Sequence, residues 1–89
     1  MEPRDFVVKA ANGMSGNTRL LAFLCPDAPP EALAKAQRSN DWRERAAIAL
    51  NPNTPENVLM RLSQEGNAVV RSLAKHSLYQ RQLVSKQND

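Results

Sequence analysis

The feature that narrows this chain most is an internal repetition. Shifted by 26 positions, Pro26 falls on Pro52, Pro29 on Pro55 and Leu33 on Leu59. Leu24 falls on Leu50, Asp27 on Asn53 and Lys35 on Arg61. Two prolines three apart, each pair followed at the same distance by Leu, mark one supersecondary unit written twice. A third copy shows in its first half only, where Arg45 aligns with Arg71, Ala47 with Leu73 and Ile48 with Ala74. Leu78 and Arg81 stand where its prolines would be. The chain therefore divides into a leading cap, residues 1–16, and three units, 17–40, 41–66 and 67–89, in one domain of 89 residues.

Each unit reads as helix, proline-bounded turn, helix. In the middle one Asp41 is placed to cap a helix over Trp42–Leu50, its carboxylate accepting the free N–H groups of the first turn. Asn51-Pro52-Asn53-Thr54-Pro55 stops that helix, because the residue before a proline is pushed out of the α region and Pro52 has no N–H to donate. Thr54 is expected to cap the next helix and Pro55 to take its first position. Val58, Leu59 and Leu62 then share one face. Gly66 is expected to end the helix in a left-handed conformation, and Asn67 to cap the helix that follows. In the first unit Ser15 or Asn17 opens a helix through Leu20, Leu21, Phe23 and Leu24, and Asp27-Ala28-Pro29-Pro30-Glu31 starts its partner. Phe6, Val7 and Ala10 form the stripe of a short leading helix, broken by Asn12-Gly13-Met14-Ser15-Gly16. No stretch alternates apolar and polar residues over four or more positions, so an all-α chain is expected.

Hydrophobic residues make up 42% of the sequence, yet two Phe, one Trp and one Tyr are all its aromatics. The core must therefore be built mainly from Leu, Val, Ile and Ala. A chain of this size buries roughly two-thirds of the surface its unfolded form exposes, enough for one thin core and no deep catalytic cavity.

The run from Trp42 to Leu62, with its Arg-led alanine-rich helix, Asn51-Pro52-Asn53-Thr54-Pro55 and Leu59-x-x-Leu62, resembles the leucine-rich repeat variant. Residues 41–66 match best. Residues 17–40 keep the prolines and Leu33 but carry Cys25-Pro26-Asp27-Ala28-Pro29, and the copy from Asn67 is degenerate after Lys75. The resemblance implies short helices alternating between α and 3₁₀ type, stacked into a HEAT-like, short right-handed solenoid of two and a half to three helix-turn-helix units with terminal capping helices. Some members hold an iron–sulfur cluster on a cysteine-rich leading segment. That feature does not carry over, since Cys25 is the one cysteine here. Units of this kind complete their cores against neighbours, so the ends need capping.

Little in the sequence points to catalysis, metal or cofactor. Cys25 as a nucleophile lacks a nearby base, since the one histidine, His76, lies two units away, and it reads as a buried residue at the apolar end of a helix. His76 reads as a helix-end residue facing solvent, without the companions a metal needs. Glu44 with Arg45, and Asp41 with Arg45, read as surface charge pairs. The longest apolar run, Leu20 to Cys25, is far short of the ~20 residues that cross a bilayer. The start shows no apolar h-region, and a cytoplasmic, non-enzymatic protein is expected.

The net charge is +3, a mild bias with one asymmetry. Between Ala68 and Asn88 the chain carries Arg71, Lys75, Arg81 and Lys86 and no acidic residue. This stretch is either an ordinary solvated face or a docking surface for anionic groups. Trp42, beside Arg43, is either a core plug between units or an exposed interface anchor. Two functions follow. One is a protein-interaction module or small subunit that docks an acidic partner through a repeat face, with self-association through the open ends as a further route. The other is a nucleic-acid-binding accessory protein using Arg43, Arg45, Arg71, Lys75 and Arg81 along one side. The small net charge and the lack of an aromatic stacking platform favour the first.

Overall fold

The computed structural model describes residues 16–87. Five helices follow one another: α1 (Gly16–Leu24), α2 (Pro30–Lys35), α3 (Trp42–Leu50), α4 (Glu56–Leu62) and α5 (Ala68–Gln87). Neither a strand nor a 3₁₀ helix occurs among the described residues, so the α/3₁₀ alternation implied by the resemblance is not observed. The starts of α1, α3 and α5, at Gly16, Trp42 and Ala68, keep the period of the sequence repeat, and so do those of α2 and α4 at Pro30 and Glu56. The expected leading helix with Phe6, Val7 and Ala10, and the cap at Ser15, lie outside the described residues, and Asn17 does not open the helix, since α1 already includes Gly16.

Capping by short polar side chains sets two of these starts. Asp41 is extended and its Oδ1 accepts the N–H of Arg43 at 2.9 Å. Asn67, the equivalent of Asp41 in the next unit, accepts the N–H groups of Val69 at 2.9 Å and Val70 at 3.1 Å. Both satisfy donors that a helix N-terminus leaves without intrahelical partners.

Thr54 does not cap α4, contrary to the sequence reading. Pro55 occupies the cap position without a side-chain bond, and α4 begins at Glu56. The Thr54 hydroxyl points the other way and donates to the carbonyl oxygen of Ile48 at 2.6 Å, fully buried. The reason is local: that carbonyl would ordinarily accept the N–H of residue 52, and Pro52 has none, so it takes the N–H of Asn51 at 3.1 Å together with the Thr54 hydroxyl. Gly66 also departs from expectation. α4 ends at Leu62, with Ser63 as a right-handed cap, and no glycine among the described residues has positive φ. Gly66 comes later, in the bend before Asn67.

The third unit has no turn. With Leu78 and Arg81 in place of the two prolines, no N–H is missing and no ring clashes, so α5 runs on for 20 residues. The helices α1, α3 and α5 pack in sequence, and α4 lies against α5. Phe23, Leu33, Ile48, Val58, Leu59, Leu62 and Val70 are the largest fully buried apolar side chains. The slab they hold together measures 39 × 30 × 16 Å.

Polar side chains join successive units at recurring positions. Arg45 donates to the carbonyl of Ser39, and Arg71 to that of Glu65, the equivalent pair one repeat on. Asn51 Nδ2 donates to the carbonyls of Phe23 and Cys25 at 2.8 and 2.7 Å, and Asn53 Nδ2 to those of Pro26 and Ala28. Glu44 is no surface residue. It is buried, accepts from Arg19 at 3.2 Å and takes the Ser39 hydroxyl at 2.7 Å. Asp41 pairs with Arg43 rather than Arg45, and Arg45 pairs instead with Glu65. Such cross-unit pairs are beyond the reach of helical i, i+4 spacing.

Candidate docking face

The six residues singled out as contacts are not gathered into one patch. Arg43 lies at the start of α3, held by Asp41 through Nη2 at 2.9 Å and Nε at 3.1 Å. The Arg43 side-chain bond, then its backbone N–H, holds the Asp41 carboxyl below the usual carboxylate range, and Asp41 raises the Arg43 pKa in turn. Arg45 is half-buried against Glu65. Arg71 is half-buried, its Nη1 on the carbonyls of Glu65 at 2.9 Å and Gly66 at 3.2 Å. Arg81 lies at the other end of the slab, donating to the carbonyl of Pro52 at 3.1 Å. Lys75 alone of the six is an exposed cation in none of the described ion pairs or hydrogen bonds. Trp42 is 44% exposed and therefore not a plug between units.

Most of the basic set thus acts as staples between loops and helix ends. Arg61 belongs to the same class, donating to the side chain and carbonyl of Gln37. Burial, with Arg38 nearby, pushes its pKa below the ordinary guanidinium value.

What remains uncovered is α5. Its core-facing side carries Val70 and Ala74, both fully buried. The opposite side exposes Val69, Tyr79 and Leu83, with Lys75 and His76 among them. At 100° per residue these five positions fall within about 120° of the helix circumference. Tyr79 and Leu83, one turn apart, adjoin on this face, and Val69 stands about 15 Å nearer the start of α5 on the same side.

Beside this face an open notch of about 420 Å³ separates α5 from the end of α3. Leu50, Asn51 and Pro52 form one wall. His76, Ser77, Gln80, Arg81 and Val84 form the other. No family model, curated protein or solved structure matches this chain.

Sequence reasoning passed over Tyr79, Val84, Leu50 and Glu65. The first two carried a usable signal, since an apolar residue on a helix that has lost its partner turn has nothing to bury against. Glu65 carried none, as its pairing with Arg45 crosses between units. Cys25 is half-buried, and His76 is exposed in the middle of α5 rather than at a helix end, 3.4 Å from Gln80. Among the described residues no three His, Cys, Asp or Glu side chains gather into a metal-sized cluster, and no helix is long and apolar enough to cross a membrane.

Proposed function

We propose that the chain is a short right-handed helical-repeat solenoid that binds another protein through its third unit, the partner presenting an acidic surface. The regular recurrence of helix starts, caps and cross-unit hydrogen bonds supports the repeat reading, as does the likeness of residues 41–66 to the leucine-rich repeat variant.

One observation carries the docking reading. Val69, Tyr79 and Leu83 stand exposed on one face of α5 together with Lys75, in a stretch without a carboxylate. An apolar patch beside uncompensated positive charge favours a partner with apolar anchors and acidic neighbours. Self-association through this face is less favoured, because it brings like charges together. A nucleic-acid reading needs Arg43, Arg45, Arg71, Lys75 and Arg81 along one side, and they are not gathered there: Arg43 is ion-paired at the start of α3, Arg45 and Arg71 staple loops, and Arg81 lies beside the Asn51–Pro52 turn.

The test is an affinity pull-down from the native host with the 89-residue chain and its Lys75→Glu and Tyr79→Ala variants, each with and without nuclease. Retention of a protein that survives nuclease and is lost with both variants supports the reading. Retention that nuclease abolishes supports nucleic acid instead.

A further inference from the structure

This inference rests on the docking reading above and concerns where the third unit grips its partner. Val70, Ser77 and Val84 recur at heptad spacing and so follow one stripe along α5. Val70 is fully buried and Ser77 half-buried, its hydroxyl on the carbonyl of Ala49, yet Val84 is 54% exposed. The core-facing stripe outruns the core. α5 has 20 residues and α3 only 9, and α3 closes at the Asn51–Pro52 turn while α5 continues past it. At 1.5 Å per residue the difference is about 16 Å of helix.

The notch of about 420 Å³ lies in this step. Leu50, Pro52 and Val84 are its apolar surface, and all three are exposed. Arg81 and His76 are the ionisable groups along it. Arg81 is half-buried and its described partners are neutral backbone carbonyls, so its charge meets no carboxylate in the described ion pairs. The chain supplies no acidic residue between Gly66 and Asn88 to compensate it. A fixed cation beside an apolar trough is the complement of a carboxylate next to a large apolar side chain. The volume lies within the roughly 300–1,000 Å³ of ordinary ligand sites, room for a few side chains and not for a domain.

We propose that the notch binds a short acidic segment of the partner protein, an apolar side chain lying against Leu50 and Val84 and a neighbouring carboxylate on Arg81. Pro52 forms the end wall. The outer face with Val69, Tyr79 and Leu83 then extends the interface beyond the segment.

The experiment selects binders to the 89-residue chain from a displayed library of random peptides of about ten residues, which extended span roughly 33 Å. Enriched peptides are titrated while the backbone amide NMR signals are followed. The expected peptides share Asp or Glu next to a large apolar residue and shift the signals of Leu50, Ser77, Arg81 and Val84. Arg81→Gln and Val84→Glu should each weaken binding by about tenfold or more. Val84→Glu replaces an exposed residue, so an unchanged unfolding midpoint separates lost binding from lost fold.

Failure to enrich any peptide, enrichment without acidic residues, or binding indifferent to both variants overturns the proposal. Shifts confined to Val69, Tyr79 and Leu83 also overturn it, yet leave the outer face of α5 as the docking surface. Failure of the broader reading looks different: the native partner is then lost on nuclease treatment.

Discussion

Asn51 and Ser77, equivalent positions of successive units, each reach back 28 residues to the unit before: Asn51 Nδ2 donates to the carbonyl of Phe23 and the Ser77 hydroxyl to that of Ala49. Phe23 and Ala49 are themselves equivalents, one repeat apart. The repetition therefore extends from sequence to individual hydrogen bonds, although the side chains differ. Asn51 does more, since it also holds the carbonyl of Cys25 and accepts the N–H of Asn53 at 2.8 Å. Asn51→Ala should accordingly destabilise by about 3 kcal/mol, because several buried groups lose partners, and Ser77→Ala by about 1 kcal/mol. Urea unfolding of the two variants checks this, and equal losses would contradict the assignment.

Thr54 gives a second test, because its hydroxyl belongs to the end of α3 and not to the start of α4. Thr54→Val keeps the shape and removes the donor to Ile48. It should cost about 1 kcal/mol, the net worth of one buried hydrogen bond, because the Ile48 carbonyl keeps the N–H of Asn51. Amide hydrogen exchange should speed up over the last turn of α3, with the first turn of α4 little changed. The opposite pattern would restore the capping role.

Gly66 is not held in a left-handed conformation, and a Cβ built there meets nothing within 4 Å. Gly66→Ala should therefore be neutral or stabilise by up to about 1 kcal/mol, through the narrower unfolded ensemble. A loss on thermal unfolding would show that the bend before α5 needs glycine.

Acid should act through Asp41. Its folded pKa lies below the unfolded value, chiefly through the Arg43 side chain. The stability it contributes is full above the ordinary carboxylate pKa of about 3.9 and is lost as pH falls through the lower folded value. Asp41→Asn keeps a good cap and removes the ionisation. The stability gap between wild type and Asp41→Asn should narrow as pH is lowered through this window, and a gap independent of pH would contradict the pairing.

The all-helical make-up, the proline turn after α3 and the caps at Asp41 and Asn67 were legible because each depends on a few neighbouring residues. The burial of Val58, Leu59 and Leu62 followed from their spacing alone. Glu44 was misread because its partner Arg19 lies 25 residues away, and the pairing read for it was with its chain neighbour Arg45, which it does not use. Trp42 resisted for a related reason: whether a residue at a helix start plugs a core depends on the unit beside it. The candidate site was half legible. The acid-free stretch drew attention to α5, but charge alone did not distinguish exposed Lys75 from Arg71, whose guanidinium staples a loop. Neutralising Arg71 therefore mixes stability with binding, and Lys75 is the cleaner probe.

The central claim is that α5 faces an acidic protein partner, and site-specific photocrosslinking in the native host tests it most directly. A photoreactive phenylalanine analogue replaces Tyr79, which is 58% exposed, or in a control Met60 on α4, which is 56% exposed. The account predicts a discrete protein adduct from position 79 that resists nuclease, is absent from position 60 and is lost when Lys75→Glu is added. Equal adducts from both positions, or a position-79 adduct made only of nucleic acid, would contradict it.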